Sequence, residues 1–358
     1  MAIHYASQFG QDFDAAMTRA IEVANRGPIY GENPRVGCLI LDPVTGATLA
    51  EGAHMGVRTA HAEVAALRSL PDPELARGAI AVVTLEPCNH QGHTGPCTQA
   101  LIQAGIGTVV FAVRDPSSVA GGGAEVLDAA GIRVIEGVLA DRVEAQLRVW
   151  LTATRLQRPF ITLKWASTLD GRTAAQDGSS QWITNRESRA HAHKARSEAD
   201  AILVGTGTVI DDDPALTARR PDGSLYPHQP IPVVLGRREL PPAAKIFQSP
   251  HQPIQYQRHS PAEAVADLYT RGVRHVIVEG GPTTMSAFIG EHLVDEFTIY
   301  LAPKLLGGWR LGITQIGVTN IAGAHEMTID ELYRIGEDVF IGATPKRGPR
   351  PHRSVEAI

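Results

Sequence analysis

Three residues that suit a zinc ion constrain the fold of this chain more than any other feature of its sequence. His61 begins a predicted helix, Cys88 closes a predicted strand, and Cys97 stands at the start of another predicted helix. A zinc ion held by one imidazole and two thiolates keeps its fourth tetrahedral position for water, which is the arrangement of catalytic sites. The fold must therefore bring one strand end and two helix starts to the same point.

A glutamate, Glu63, follows His61 by two positions, so on a helix its side chain points in a different direction from that of His61. It is therefore expected beside the zinc-bound water, where it would pass protons to a ring nitrogen and a departing amine. The order His-x-Glu, then Pro-Cys and a second Cys, is the known pattern of zinc nucleobase deaminases. The sequence predicts hydrolytic deamination with Glu63 as the catalytic residue. A non-catalytic zinc module is the alternative, but it would have four protein ligands and no need for Glu63.

Composition narrows the class of protein. The 358 residues are 43% hydrophobic and 20% charged, and no apolar run is long enough to cross a bilayer, so no membrane partner is expected. The net charge of −5 and the scattered Lys and Arg residues argue against a nucleic-acid partner. Three cysteines are too few for a disulfide scaffold, and the first residues lack a signal-peptide pattern, so a cytoplasmic location is expected. The oligomeric state is left open, and a homo-oligomer is one of the states allowed.

Helical and strand-like patterns alternate along the chain and predict two α/β domains. In the first half, helices are predicted at 11–26, 61–70, 97–104 and 124–130, and strands at 36–41, 48–52, 79–85, 109–113 and 133–135. After a helix-to-linker stretch at 151–159, strands are predicted at 160–164, 201–204, 231–235, 275–278 and 296–301, and helices at 185–197, 262–271 and 283–291. We expect a deaminase domain over 1–152, a second domain over 159–343 and a frayed tail over 344–358.

Two glycine-containing turns follow predicted strands in the second half. Residues 279–283 (Glu-Gly-Gly-Pro-Thr) lie between a strand end and a helix start, where backbone N–H groups attract phosphate. Such a turn suits the pyrophosphate of a cofactor, although a plain glycine-rich turn is an equal interpretation of this segment alone. Residues 205–208 (Gly-Thr-Gly-Thr) are followed by Ile210 in place of a third glycine, so the Rossmann fingerprint is absent.

The spacing of the two cysteines indicates a more specific class of deaminase. Eight residues separate Cys88 from Cys97, whereas two residues separate the cysteines in the usual deaminase pattern. With its surrounding motif, this spacing resembles the family of bifunctional riboflavin biosynthesis proteins known as RibD or RibG. Further segments similar to that family extend over nearly the whole chain: 33–37 (Asn-Pro-Arg-Val-Gly), His54, Asp115-Pro116, 164–173, 180–184, 211–217, 278–283 and 302–307.

The resemblance implies a cytidine-deaminase-like first domain and a dihydrofolate-reductase-like second domain. The first domain would use one zinc ion (Zn²⁺) to deaminate a small phosphorylated pyrimidine, 2,5-diamino-6-ribosylamino-4(3H)-pyrimidinone 5′-phosphate. The second would use NADPH to reduce the ribosyl group of the product to a ribityl chain.

The resemblance also implies binding residues, by matched position. Those expected to line the deaminase substrate pocket are Asn33, His54 and His90. Those expected to hold substrate in the reductase are Ser180, Arg196, Arg219 and Glu279. Those expected to hold NADPH are Ala166, Trp182, Thr208, Asp212 and Gly281.

Two departures from the family pattern bear on phosphate binding. His93 stands where the family usually has Arg or Lys, so we expect His93 to meet the substrate phosphate, most strongly when it is protonated. Gly236 and Arg237 replace a usual Asp-Ser pair, which leads us to expect Arg237 to face the 2′-phosphate of NADPH.

Two other functions compete with this interpretation. The second domain could be a degenerate module that binds ligands without reducing them, in which case NADPH would not be oxidised. The first domain could instead belong to a tRNA-editing deaminase, but the acidic net charge, the absence of basic patches and the long cysteine spacing disfavour an RNA substrate.

Overall fold

The computed structural model describes residues 12–91, 95–257 and 260–346, and the chain divides into two compact units between Arg158 and Pro159. The strands of the first unit are β1 (Gly37–Leu41), β2 (Thr48–Ala53), β3 (Ile80–Leu85), β4 (Thr108–Val113) and β5 (Arg133–Glu136). Its helices are α1 (Asp14–Ala24), α2 (Ala62–Arg68), α3 (Cys97–Gln103), α4 (Gly123–Ala129) and α5 (Ala140–Leu156).

The first unit is a three-layer α/β domain, as predicted. Its sheet has the order β2-β1-β3-β4-β5, and every residue of β1 and β3 is buried. Strands buried along their whole length need cover on both faces. Helices α1 and α5 contact each other, and the Gln146 amide in α5 donates a hydrogen bond to the Ile21 carbonyl in α1 at 3.0 Å. In a second group, α2 contacts α3 and α3 contacts α4.

A close approach of backbones positions the helix that begins after His61. A Cβ atom at Gly52 in β2 would lie 2.2 Å from the carbonyl oxygen of Ala62 in α2. Only a glycine therefore lets this helix pack so tightly on the strand, and Ala62 and Ala66 are fully buried at the contact. The start of α2 is held rigidly against the sheet as a result.

The second unit contains one mixed sheet and helices. Its strands are β6 (Phe160–Thr168), β7 (Ala201–Gly205), β8 (Ile231–Leu235), β9 (Ile254–Tyr256), β10 (His275–Val278), β11 (Glu296–Ala302), β12 (Met327–Ile335) and β13 (Asp338–Pro345). Its helices are α6 (Arg186–Arg196), α7 (Thr206–Asp212), α8 (Pro261–Thr270) and α9 (Pro282–Gly290). Short 3-10 turns of the second unit cover Lys245–Gln248 and Ile321–Gly323, and one in the first unit covers Pro73–Ala76.

The order of this sheet brings the two glycine turns together. It is β12-β13-β11-β6-β10-β7-β8-β9, and all neighbours from β11 to β9 are parallel. Because the carboxyl ends of neighbouring parallel strands meet at one edge, the turns after β7 and β10 are adjacent there.

Several elements depart from the sequence-based prediction. Helix α5 begins at Ala140, so the expectation of a helix-to-linker stretch only from residue 151 was wrong. The helix α7 and the strands β9, β12 and β13 were not predicted. Strand β13 continues to Pro345, so the expected fraying at 344–345 was also wrong, and the rest of the predicted tail beyond 346 lies outside the described residues.

Across the described ranges, no helix has the length and apolar character needed to cross a membrane.

Candidate functional site

The three predicted zinc ligands meet at one point in the first unit. The Nδ1 atom of His61 lies 3.4 Å from the Sγ of Cys88 and 3.3 Å from the Sγ of Cys97, and all three ligand atoms lie within 4.8 Å of one another. His61 precedes α2, Cys88 follows β3, and Cys97 begins α3. The elements therefore converge as the residue pattern required.

This donor set fits a zinc ion. Zinc–sulfur bonds of about 2.3 Å and zinc–nitrogen bonds of about 2.0–2.1 Å in a tetrahedron place nitrogen and sulfur about 3.5 Å apart. The observed separations match that spacing. Hydrogen bonds from Cys97 and His61 lower the pKa of the Cys88 thiol, whereas the nearby Cys88 sulfur is the main cause that raises the pKa of Cys97. A divalent cation shared by both sulfurs is what would stabilise two thiolates so close together.

The predicted catalytic residue lies beside this cluster. Glu63 is in the first turn of α2 and is 3% exposed. Burial, and after it the neighbouring Cys88, raise the pKa of the Glu63 carboxyl to about 7. A carboxyl group that titrates near neutral pH can both accept and donate a proton there.

A second buried carboxylate, Glu86, holds the loop that carries Cys88. Its two oxygens accept hydrogen bonds from the backbone N–H groups of Asp115 at 3.0 Å and Ala124 at 2.9 Å. The loop is further tied to α3, because the Thr98 backbone N–H donates to the Cys88 carbonyl. Sequence reasoning missed this function of Glu86, although a glutamate next to a metal-ligand segment could have suggested it.

Two of the predicted deaminase pocket residues contact each other. The Asn33 amide nitrogen donates to His54 Nε2 at 3.0 Å, and His54 Nδ1 donates to the Ala60 carbonyl at 3.1 Å. These bonds select the neutral tautomer protonated on Nδ1, and burial lowers the pKa of His54 accordingly. The His54 and His61 rings meet edge to face at 5.1 Å, which places this pair at the metal cluster.

His90, two residues after Cys88, has a buried Nδ1 atom with no hydrogen-bond partner in the described part of the chain. A buried polar atom without a partner is costly unless a ligand or water satisfies it. His90 therefore lies where a substrate could provide that partner.

In the second unit, a buried carboxylate is shared by two cations. Glu279, directly after β10, accepts hydrogen bonds from Arg196 Nε at 2.7 Å and Nη2 at 2.8 Å, and it forms an ion pair with Lys164 Nζ at 3.3 Å. Burial acts to raise the pKa of Glu279, but Arg196 and Lys164 outweigh it and hold that pKa well below its ordinary value. Two predicted substrate residues are thus paired with each other, and Lys164 joins them.

The other predicted cation of this region, Arg219, is close to Arg196. Both side chains donate hydrogen bonds to Thr217. Arg196 Nη1 donates to the Thr217 carbonyl at 3.1 Å, and Arg219 Nη1 donates to the Thr217 hydroxyl at 2.9 Å. Burial and then the charge of Arg196 lower the pKa of Arg219. Two guanidinium groups therefore face one small region.

The two glycine turns are linked by a hydrogen bond. The backbone N–H of Gly281 donates to the Thr208 hydroxyl at 3.0 Å. The guanidinium group of Arg238 lies over the first turn, with Nε 3.4 Å from the Thr206 hydroxyl. A Cβ atom at Gly207 would lie 2.8 Å from Arg238 Nη2, so the cation covers this glycine closely.

Comparison with known families agrees with this division of the chain. Residues 11–113 match the family described as the cytidine and deoxycytidylate deaminase zinc-binding region, and residues 159–341 match the RibD C-terminal domain. The RibD C-terminal match covers more than half of the chain. The chain belongs to the RibD family.

Relatives in this family match both units. Riboflavin biosynthesis protein RibD of Mycobacterium tuberculosis (strain ATCC 25618 / H37Rv) is 46% identical over 334 residues, which cover 92% of this chain and 97% of that protein. Riboflavin biosynthesis protein RibD of Escherichia coli (strain K12) is 37% identical over 360 residues, which cover 91% of this chain and 97% of that protein.

Solved RibD structures have the same fold. The structure of Acinetobacter baumannii RibD (form 2) matches with a TM-score of 0.83 and 34% identity, covering 93% of this chain and 98% of that chain. A Thermotoga maritima protein, described as a diaminohydroxyphosphoribosylaminopyrimidine deaminase and 5-amino-6-(5-phosphoribosylamino)uracil reductase, matches with a TM-score of 0.82 and 32% identity, covering 93% and 98%. This RibD-family chain thus combines a zinc-binding deaminase domain with an NADPH-dependent reductase domain.

The other residues predicted from the RibD resemblance are more dispersed. Trp182 is 61% exposed and stacks against the Arg189 guanidinium at 4.3 Å. Ser180, two residues earlier, is partly exposed. Ala166 packs beside Tyr300 on β11, and Asp212 ends α7 one turn after Thr208. Their functions, like those of all the predicted site residues, remain predictions.

His93 lies outside the described residues, so its predicted contact with phosphate stays a prediction. The sequence pointed to Arg237 at the cofactor turn, but the guanidinium that contacts the turn belongs to the next residue, Arg238. Because Gly236 has a φ angle of 135°, the backbone after β8 turns in a way that alternation along a strand could not predict.

Proposed function

We propose that this RibD-family protein deaminates 2,5-diamino-6-ribosylamino-4(3H)-pyrimidinone 5′-phosphate and then reduces the ribosyl group of the product to a ribityl chain. The observation that carries the proposal is the convergence of His61, Cys88 and Cys97 beside the buried Glu63. The paired cations at Glu279 in the second unit support the reductive step.

In the deaminase, the chain's own residues divide into metal binding and proton transfer. His61, Cys88 and Cys97 would hold zinc, which supplies Lewis-acid activation of water when bound. Glu63 would pass one proton of the attacking water to the ring nitrogen, and would then pass the second proton of that water to the amine, which leaves as ammonia as the carbonyl forms. His54, held as one tautomer by Asn33 and Ala60, would orient the pyrimidine together with His90.

In the reductase, the charge of the buried cluster favours a phosphorylated substrate. Lys164, Arg196 and Arg219 contribute three positive charges and Glu279 one negative charge, which leaves a net charge of +2. A phosphate group carries a charge of about −1.5 to −2 at neutral pH. The cluster would therefore attract the substrate phosphate and hold the sugar near it.

NADPH would be held where the two glycine turns meet. The turn after β10 needs small residues, because a Cβ atom at Gly280 would lie 2.9 Å from the Thr284 side chain. The backbone N–H groups in the first turn of α9 and the hydroxyl of Thr208 are suited to a pyrophosphate. NADPH supplies the hydride when bound, and the residues of the chain orient it.

One assay tests the whole proposal. The purified chain is given the diamino substrate, zinc and NADPH, and both the release of ammonia and the oxidation of NADPH are followed. We expect ammonia release first, and NADPH oxidation in equal amount afterwards. Ammonia release with no NADPH oxidation would favour the degenerate second domain, and no ammonia release would exclude the proposed deaminase substrate.

The contact of Arg238 with the turn at residues 205–208 gives a prediction about cofactor choice. Arg238 is exposed, and among the described residues no carboxylate pairs with it, so its charge is available to the 2′-phosphate of NADPH. We expect Arg238→Ala to raise the KM for NADPH about tenfold and to leave the KM for NADH unchanged. The reason is that the loss of one hydrogen bond between charged groups typically weakens binding by roughly a factor of ten.

The matched control is Arg237→Ala, which removes the same charge one residue earlier. Steady-state kinetics with both cofactors should show a change below about twofold for this variant. Equal effects of the two substitutions on the KM for NADPH would mean that Arg238 has no specific contact with the cofactor.

We also propose a cytoplasmic, self-associating protein that does not bind nucleic acid. Thiolate ligands such as Cys88 need a reducing compartment, and the net charge of −5 disfavours nucleic acid. The edge strand β12 exposes Ile329 (59%), Leu332 (63%) and Tyr333 (42%), and apolar side chains exposed at the edge of a sheet are suited to contact with a second copy. Light scattering of the wild-type chain and of Leu332→Arg would test this, with a monomeric wild-type chain contradicting it.

A further inference from the structure

One histidine of the reductase unit, His193, contacts Arg219 and has no function assigned so far. His193 is on α6, three residues before Arg196, and its side chain reaches the segment that carries Arg219. Its Nδ1 lies 3.1 Å from the Thr217 carbonyl oxygen and 3.2 Å from the Arg219 backbone nitrogen, and its Nε2 lies 3.5 Å from Arg219 Nη2.

The imidazole can serve Arg219 only while it is neutral. If Nδ1 carries the proton, it donates to Thr217 and Nε2 accepts from the Arg219 guanidinium. If Nε2 carries the proton, Nδ1 accepts from the Arg219 backbone N–H. In either neutral form one nitrogen accepts a hydrogen bond from Arg219, whereas an imidazolium would accept none. Burial and then the charges of Arg196 and Arg219 lower the pKa of His193 to about 4, so the neutral form prevails near pH 7.

The position of Arg219 needs such a support. Arg196 is already bound to Glu279 through Nε and Nη2 and to Thr217 through Nη1. Arg219 has no carboxylate partner among the described residues, and the positive charge of Arg196 repels it. The Thr217 hydroxyl and the His193 ring are therefore the groups that keep the second guanidinium in place.

We propose that His193 is a positioning residue of the reductase, which holds Arg219 beside Arg196 so that both guanidinium groups can bind the phosphate of the substrate. This inference rests on the proposed function for the identity of the phosphate-bearing molecule. The geometry requires only a phosphate group. A histidine suits the position because it accepts a hydrogen bond without adding a further positive charge, which a lysine or arginine would do.

The experiment uses the full chain with saturating NADPH and three substitutions of His193. His193→Ala removes the acceptor, His193→Asn places an amide oxygen near the position of Nδ1, and His193→Gln places one near Nε2. The control is Lys194→Ala, because Lys194 is exposed on the same helix and pairs only with Glu198 among the described residues. Binding of inorganic phosphate is measured by calorimetry, and the KM and kcat of reduction are measured with the deaminated substrate.

We expect His193→Ala to weaken phosphate binding and raise the substrate KM by about tenfold each, with kcat and the KM for NADPH changed by less than about twofold. At least one amide variant should restore both constants to within about threefold of wild type, and Lys194→Ala should match wild type. A merely structural function would instead lower kcat and the thermal unfolding midpoint in all three His193 variants, with no rescue by either amide.

The two hypotheses fail separately. If His193→Ala binds phosphate as tightly as wild type, or if neither amide variant restores binding, the positioning function is overturned even when the chain reduces the proposed substrate. If phosphate binding depends on His193 as expected but wild type does not reduce the deaminated pyrimidine, the proposed substrate is wrong and the function of His193 stands.

Discussion

Replacement of Glu63 with glutamine is expected to slow deamination by a factor of roughly 10²–10⁴, the usual contribution of a positioned acid or base. The amide keeps the size of the side chain but cannot accept the proton of the attacking water. Since His61, Cys88 and Cys97 are unchanged, the variant should still bind one zinc ion per chain. Metal analysis and single-turnover ammonia release would measure the two properties separately.

The matched control for this variant is reduction of the deaminated substrate, which should proceed at the wild-type rate because the reductase residues lie in the second unit. Glu63 is 3% exposed, and its neutral amide needs no charge partner, so we expect no loss of folding. Deamination within about threefold of wild type would remove Glu63 from proton transfer.

The second large effect is expected for Cys88→Ser. A serine hydroxyl is a weak zinc ligand at neutral pH, so this variant should lose the metal. Deamination should therefore fall by more than about a hundredfold, which exceeds the loss typical when a residue that only supports a metal ligand is replaced. NADPH-dependent reduction of pre-deaminated substrate should persist, since its residues belong to the second unit. Zinc content measured by atomic absorption, beside both activities, would show this separation.

Equal loss of both activities in a folded Cys88→Ser protein would contradict the division of labour between the two units. Retention of zinc together with normal deamination would contradict the assignment of Cys88 as a ligand. Addition of excess zinc provides a further control, because it should restore little activity if the ligand itself is missing.

The zinc cluster could be predicted from the sequence because metal ligation places strict demands on residue type. His61, Cys88 and Cys97 are few, chemically distinctive, and placed at predicted element ends, and the structure brings them together. The alternation of apolar segments likewise predicted the central strands, which are buried along their whole length.

The reductase site could be predicted only in part. Family resemblance suggested Arg196 and Glu279, but nothing in their spacing showed that they bind each other. Their separation of 83 residues is closed by the parallel pairing of the strands, which is a tertiary property. His193 was missed for the same reason, since its partner Arg219 comes from a different segment of the chain.

The missed strand β12 has a local explanation. Strand β12 is exposed on nearly all its residues, so it lacks the apolar alternation that marks a half-buried strand. Its pairing with β13 also shifts register between Ile329 and Glu331, where one residue is inserted. An exposed strand with an inserted residue gives little periodic signal.

The sharing of Glu279 between Arg196 and Lys164 has an evolutionary consequence. Loss of one partner from a buried ion pair typically costs about 3–5 kcal/mol, because the remaining charge is left without compensation. A lineage that replaced Glu279 alone would leave two partly buried cations facing each other. These three positions should therefore be inherited as a block, and a natural variant at one of them should carry a compensating exchange at another.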